Sequence, residues 1–325
     1  MELLTADSKN ILKAAQIIKN GGLVAFPTET VYGLGADGLS SAAAAKIFEA
    51  KKRPSFNPLI LHIADKEDLE KICIINSELI YKVIDKFWPG PLTLVLPKKN
   101  IVPDIVTAGN TTVAVRMPDH KVAAELIIAS ETPIAAPSAN VFTKLSPTTA
   151  KHVAKQLGEK VDIILDGGKS RVGVESTIIS FENGEVYLLR PGGLPAEDIE
   201  KVTGKLLVKT KAKKITAPGM LPFHYAPSVP IYFLDETNPN EFENKKTGAL
   251  LFSKTDFKFN FSSIKILSEK GDFIEAAANL FSFLHEFENE GIEIIFAEKV
   301  EERGLGKAIM DRLKKAVKKY ELNRE

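Results

Sequence analysis

The chain has 325 residues, 44% of them hydrophobic and 26% charged, with a formal net charge of +1. That length exceeds what one core normally organises, so two domains are expected, and a charge so near zero gives no global pull toward nucleic acid or membrane. The single cysteine, Cys73, excludes a disulfide framework within the chain, and five scattered histidines make a structural zinc site unexpected. The acid-bearing start MELLTADSKNILKAAQ is no secretion signal and no apolar run reaches transmembrane length, so a cytoplasmic protein without membrane contact is expected.

Strands and helices alternate from the start. Apolar spacing predicts a helix over residues 8–20, capped by Ser8 and stopped by Gly21-Gly22. LVAF (23–26) reads as a short buried strand. Ser40 and Ser41 cap a second helix, which must end by Arg53 because Pro54 disfavours helix before it. PLILHI (58–63) reads as a strand and 65–87 as one helix. LTLVLP, TTVAVR, PIAAPS, DIILD, STIISF and EVYLLR follow as strands, with one helix among them at 148–158. Many strands and few helices predict a twisted mixed sheet rather than a regular doubly wound one.

This region ends near Val208. A basic run, KTKAKK (209–214), leads into APGMLPFHYAPSVP (217–230), rich in proline and glycine as interdomain linkers are. Met220, Phe223, His224 and Tyr225 have little use in a spacer, so the segment is expected to dock on something. From residue 231 the pattern restarts with strands IYFL, GALLF and IKIL, a helix at 272–290, the strand IEIIFA and a helix at 306–320. The boundaries expected are therefore 1–208, 209–230 and 231–325, the last a smaller Rossmann-like α/β unit.

Several strand ends carry polar residues suited to a ligand. FPTETVYGLGADG (26–38) places threonines, a glutamate, a tyrosine and glycines directly after a buried strand, a pattern that serves a ligand site or a capped turn equally well. In KKRPSFN (51–57), Lys51 and Arg53 sit at a helix C-terminus, where cations are favourable anyway, and the extended turn after them suits Arg53 and Asn57 for anion contact. His62 shares a strand face with Ile60, as a half-buried core histidine would. In TTVAVRMP (111–118) alternation puts Thr112, Ala114 and Arg116 on one face, a hydroxyl and a guanidinium with room between them. IAAPSAN (134–140), VESTIIS (174–180) and EVYLLRPGG (185–193) add Ser138, Asn140, Ser176 and Arg190 at strand ends, where hydroxyls also satisfy turns. DGGKS (166–170) is not a P-loop, because Ile163 stands where its first glycine belongs, and GLGK (304–307) is followed by alanine. No nucleophile motif appears, and Cys73 reads as core.

Taken in order, PTETVYGLG (27–35), Lys51-x-Arg53 with Pro54, PLILHI, AVRMP (114–118), APSAN (136–140), GVEST (173–177) and LLRPG (188–192) resemble the L-threonylcarbamoyladenylate synthases built on a YrdC-like domain. PGMLPFHYAP (218–227) and GLGKAIMDRLKKA (304–316) resemble the longer, two-domain form of that family. The resemblance implies a YrdC-like sheet with a concave ligand cavity. It also implies a nucleotidyltransferase that converts L-threonine, bicarbonate or CO2, and ATP (with Mg2+) into threonylcarbamoyl-AMP and pyrophosphate. A partner transferase would pass the product to the adenosine beside the tRNA anticodon.

By the same resemblance Thr30, His62, Arg116, Ala136 and Ser176 surround threonine. Arg53, Asn57, Thr112, Ser138, Asn140, Ser146, Arg190 and, in the linker, Tyr225 surround the nucleotide, with Lys51 and Arg53 as the catalytic cations. Three other readings compete. An RNA-binding module would interleave aromatics with its cations, which these motifs do not. A carbamoyl transferase of the hydrogenase-maturation kind would bring Cys-rich zinc elements. A sensor without turnover would bind the same ligands. Direct contact with tRNA is left open.

Overall fold

The computed structural model describes residues 1–208, 215–221, 224–254 and 259–321. The basic run 209–214 and Phe223 lie outside these. Among the described residues no helix is long and apolar enough to cross a membrane.

The first sheet has eleven strands among the described residues. In spatial order they begin with Glu2–Thr5, Ile163–Asp166, Val24–Phe26, Gly33–Asp37 and Ile134–Ala135. Ile60–His62, Thr112–Arg116, Leu92–Pro97, Thr177–Glu182, Glu185–Arg190 and Leu207–Val208 complete it. Parallel and antiparallel pairs are interspersed, so the sheet is mixed, as expected. Ile60–His62 runs parallel to Thr112–Arg116 with His62 opposite Arg116, and Thr93 faces Arg116 from the other side. These registers bring His62 and Arg116 to one end of the sheet.

Local chemistry explains most boundaries. The first helix, Ser8–Lys19, is capped by Asp7 rather than Ser8, its carboxylate accepting the Asn10 amide at 2.9 Å. The helix Ser41–Lys51 starts on the Ser40 cap and ends at Lys52, whose φ of 53° is left-handed. The single helix expected over 65–87 is two, Asp68–Ile72 and Glu78–Phe87. Between them Cys73 bridges to Lys98 and Ser77 caps the second helix. Helices at Lys121–Ser130 and Ala196–Thr203 were not expected, so the sheet carries more helix than its sequence advertises. Gly33–Asp37, within the segment that reads as a ligand site or a capped turn, is a strand. A Cβ on Gly35 would sit 2.7 Å from Ile134 and 2.8 Å from Phe26, so glycine there permits close strand packing. Cys73 is buried in the core, and burial pushes its thiol up to about 12.

The second sheet is smaller and all parallel, ordered Ile231–Phe233, Ile294–Ala297, Thr247–Leu251, Ser263–Ile266. Helices Phe273–Asn289 and Gly306–Glu321 complete this unit. Its apolar cluster does not stop at its own elements. Val31, Leu145 and Val174 of the first half join Tyr225, Phe281, Leu284 and Leu313 in one buried core. At Gly173, with φ +77°, an added Cβ would lie 2.5 Å from the carbonyl of Ala277, so the helix packs on bare backbone beside the GVEST segment. His285 on this helix lies 3.1 Å from the Ser146 carbonyl and stacks on His152 at 3.9 Å.

Candidate active site

One cavity lies where the ends of these strands converge. Its walls include Thr30, Arg53, His62, Arg116, Ala136, Ser138, Ser176, Arg190 and Tyr225, nine of the residues singled out in the sequence. Lys51, Asn57, Asn140, Ser146 and Thr112 are not on its wall. The first four are buried behind it and Thr112 is half-buried at the start of its strand.

The Pro27–Tyr32 turn is built by Thr28. Its hydroxyl donates to the Val31 carbonyl at 2.7 Å and accepts from the Thr30 and Val31 amides. This leaves the Thr30 hydroxyl to accept from Arg116 Nη1 at 2.8 Å. Arg116 Nη2 lies 2.6 Å from Glu29, whose carboxylate is fully buried. Glu29 stood in the motif without an assigned role, and its neighbour across the sheet could not be read from local spacing. His62 packs edge-on to Phe26. Burial, reinforced by Arg116, pulls its imidazole down to about 3, so it stays neutral.

The second flank is cationic. Arg53 Nε donates to the Asn57 carbonyl at 2.9 Å, and Nη2 donates to the Asn57 side-chain oxygen and the Pro58 carbonyl, both at 2.7 Å. Asn57 therefore aims Arg53 from behind. Burial lowers Arg53 to about 9, which leaves it charged at neutral pH. Arg190 donates from Nε and Nη2 to the Ser176 carbonyl at 3.1 and 2.8 Å, and from Nη2 to the Ser176 hydroxyl at 3.1 Å. That hydroxyl also pairs with Thr93 at 2.7 Å. Lys51, 1% exposed, donates to the carbonyls of Ser138 and Asn140 and so pins the APSAN turn, whose Ser138 hydroxyl meets Asn140 Oδ1 at 2.5 Å. Burial drives the Lys51 ammonium well below the usual lysine range.

Charge matching is selective. Glu29, buried behind Arg116, is paired with it, and Glu175, on the cavity wall, is paired with Arg312 at 2.9 Å. Among the described residues, Lys51, Arg53 and Arg190 have no carboxylate at ion-pairing distance; their partners are neutral oxygens. Cations buried against neutral dipoles are poised for an anion, and two adjacent guanidiniums suit phosphates. No group of three His, Cys, Asp or Glu among the described residues is placed to hold a metal.

The linker closes the cavity. Pro218, Gly219, His224 and Tyr225 form part of its wall, and Asn110 Nδ2 donates to the Ile215 carbonyl at 3.0 Å. Gly219, at φ +84°, could not carry a Cβ, which would fall 2.6 Å from Arg190 Cδ and 2.8 Å from the Tyr225 hydroxyl. With the segment in place about 50 Å³ of open space remains, little more than room for a water or two.

The neutral histidines make stability sensitive to acid. His62 and His224 are both buried, and burial holds both well below 6.5 when folded. An unfolded histidine takes up a proton below 6.5 and the folded one refuses it. Stability is thus fully present above pH 6.5 and is lost as pH falls toward 3. His62 alone, held at about 3, should remove about 2 kcal/mol by pH 5, and His224 acts in the same direction. Urea unfolding at pH 8 and pH 5 measures this, and equal midpoints would contradict it.

A family model described as telomere recombination matches residues 16–192, and one described as threonylcarbamoyl-AMP synthase, C-terminal domain, matches residues 194–317. The chain is 46% identical over 319 residues to a threonylcarbamoyl-AMP synthase of Pyrococcus abyssi, covering 93% of this chain and 92% of that one. It is 41% identical over 327 residues to a threonylcarbamoyl-AMP synthase of Bacillus subtilis, covering 96% and 94%. The crystal structure of P. abyssi Sua5 complexed with L-threonine aligns with a TM-score of 0.91 at 43% identity, covering 98% of both chains. Matched over both its sheets and over nearly the full length of these enzymes, the chain belongs to the two-domain threonylcarbamoyl-AMP synthase family.

Proposed function

We propose that this chain makes threonylcarbamoyl-AMP and pyrophosphate from L-threonine, bicarbonate or CO2, and ATP. The observation that carries the reading is the convergence of Thr30, His62, Arg116, Ala136 and Ser176 with Arg53, Ser138, Arg190 and Tyr225 on one cavity. The likeness to a relative solved with L-threonine supports threonine as a substrate, and we assign it to the Thr30–Arg116 flank on the resemblance of those residues. The nucleotide then falls to the flank with unpaired cations. Asn57, Asn140 and Ser146 serve from behind the wall, and Thr112 serves at its margin.

The neutral amine of threonine attacks CO2, forming the C–N bond and releasing a proton to give a carbamate; bicarbonate is the hydrated source. A carbamate oxygen then attacks the α-phosphorus, and pyrophosphate leaves with the electrons of the broken P–O bond. The threonine carboxylate, the carbamate and the triphosphate are all anionic and no protein nucleophile is required, so positioning and fixed charge carry the rate. Lys51 and Arg53 act as the principal cations, Lys51 by fixing the APSAN turn and Arg53 by direct contact. The one carboxylate of the wall, Glu175, is committed to Arg312, and no acidic cluster among the described residues is placed to hold a metal, so Mg2+ would arrive as part of MgATP.

Residues 1–208 form the catalytic unit, 209–230 a lid and 231–325 its anchor. The open space of about 50 Å³ is far below the 300–1,000 Å³ of ordinary ligand sites, so the lid withdraws to admit ATP and returns to shelter labile products. The product suits a cytoplasmic transferase acting on the tRNA adenosine beside the anticodon, a partner class proposed on family grounds. Purified chain given MgATP, bicarbonate and L-threonine should release pyrophosphate only when all three are present. Release that ignores threonine or bicarbonate would contradict the reading.

A further inference from the structure

We propose that Arg312, on the C-terminal helix Gly306–Glu321, is a positioning residue for the anion site of the N-terminal unit: it neutralises Glu175, leaving Arg190 free for nucleotide phosphates, and it seats Tyr225 of the linker. This rests on the function proposed above, and it gives the C-terminal unit an electrostatic duty in place of a nucleotide fingerprint it lacks.

Arg312 breaks the pattern of its own helix. The buried face there is Ala308, Ile309, Met310, Leu313, Ala316 and Val317, yet Arg312 is 1% exposed among them. Burying a guanidinium costs several kcal/mol unless every donor finds a partner. Most of its partners lie across the chain. Nε and Nη2 reach the same Glu175 oxygen at 3.0 and 2.9 Å, and Nη1 reaches the Pro191 carbonyl at 2.5 Å, next to Arg190. Asp311, at 3.0 Å, is the local one. Burial would lower Arg312, but Tyr225, Glu175 and Asp311 raise it, so it is charged at any working pH.

Glu175 sits where a carboxylate is least welcome. It is on the cavity wall, 6% exposed, and adjoins Ser176, whose carbonyl and hydroxyl hold Arg190. Its other oxygen takes the Ser146 hydroxyl. Left uncompensated, it would repel a triphosphate and draw on Arg190 and Lys51, the cations it already influences. Arg312 cancels it from outside the cavity. The same helix grips the lid. The Arg312 guanidinium lies 5.0 Å from the Tyr225 ring centre, Lys315 donates to the Gly219 carbonyl at 2.7 Å, and the Tyr320 hydroxyl donates to the Pro227 carbonyl.

The test uses the full-length enzyme with Arg312→Met, Arg312→Lys and the double variant Arg312→Met/Glu175→Gln, reading KM for ATP and L-threonine and kcat per folded site. Arg312→Met should raise the ATP KM by about tenfold or more and leave the L-threonine KM within about threefold. The double variant, which removes both charges, should recover most of that loss, and Arg312→Lys should sit between wild type and Arg312→Met. If Arg312→Met does not fold, the double and lysine variants decide, because both should keep the ATP KM within about threefold of wild type. An unchanged ATP KM in Arg312→Met, a loss that persists in the double variant, or a fall in kcat with both KM values unmoved would overturn the proposal. A wild-type enzyme without threonine-dependent pyrophosphate release would instead overturn the function it rests on.

Discussion

Arg116→Ala is expected to lose both turnover and a large part of the fold's stability. Arg116 is 4% exposed and lies 2.6 Å from Glu29, which is fully buried. Removing it strands a carboxylate in the interior, and breaking a buried pair from one side costs about 3–5 kcal/mol. Against a typical total of about 5–15 kcal/mol, that leaves a marginal protein. Turnover falls for a separate reason. The guanidinium donates to Thr30 on the flank assigned to threonine, and a charge-assisted bond lost there is worth about 1.5–3 kcal/mol, or roughly ten- to a hundredfold. The two effects separate in Glu29→Gln/Arg116→Met, which should recover much of the urea midpoint and none of the pyrophosphate release. A single Arg116→Ala variant with wild-type midpoint and rate would mean the pair does neither job.

Arg53→Ala should leave the fold largely intact and remove most catalysis. Arg53 has no acid partner, and its bonds use Nε and Nη2 on neutral oxygens of Asn57 and Pro58. A uniform structural role would be met as well by an apolar side chain; a guanidinium held against neutral dipoles is costly unless an anion arrives. Losing one or two charge-assisted contacts to phosphate should lower kcat/KM for ATP by about ten- to ten-thousandfold, with the L-threonine KM nearly unchanged. Arg53→Lys should recover little, because an ammonium cannot reproduce the planar fork. Steady-state kinetics in both substrates is the check, and an Arg53→Ala rate within about threefold of wild type would misplace the nucleotide flank.

Much of this arrangement is local and therefore readable. Period-two alternation puts Arg116 on the face of Ala114 and Thr112, and Pro54 ends the helix that delivers Arg53. Ser176 and Arg190 sit at strand ends because the β-strands Thr177–Glu182 and Glu185–Arg190 pair as neighbours. What the alternation leaves out is the partner. Glu29 finds Arg116 across the sheet, and Glu175 finds Arg312 on a helix of the other unit; neither spacing carries a periodic signal. Thr112 shares the face of Arg116 yet stays off the cavity wall, since Ala217 and Met220 of the linker pack on that face around Ala114.

Elements were missed for physical reasons too. The helix Lys121–Ser130 begins at His120 with no side-chain cap, and its apolar run LIIA resembles a strand. The strand Gly33–Asp37 is disguised by glycines that exist for close packing. Lys121–Ser130 contributes nothing to the cavity wall, and of Gly33–Asp37 only Gly33 touches it, beside Ser138.

The most direct measurement follows the carbon of bicarbonate. With ¹³C-bicarbonate, L-threonine and MgATP, mass spectrometry of the adenylate formed should show threonylcarbamoyl-AMP carrying the label in its carbamoyl carbon. An unlabelled threonyl-AMP, or pyrophosphate release with no threonine-containing adenylate, would contradict the account.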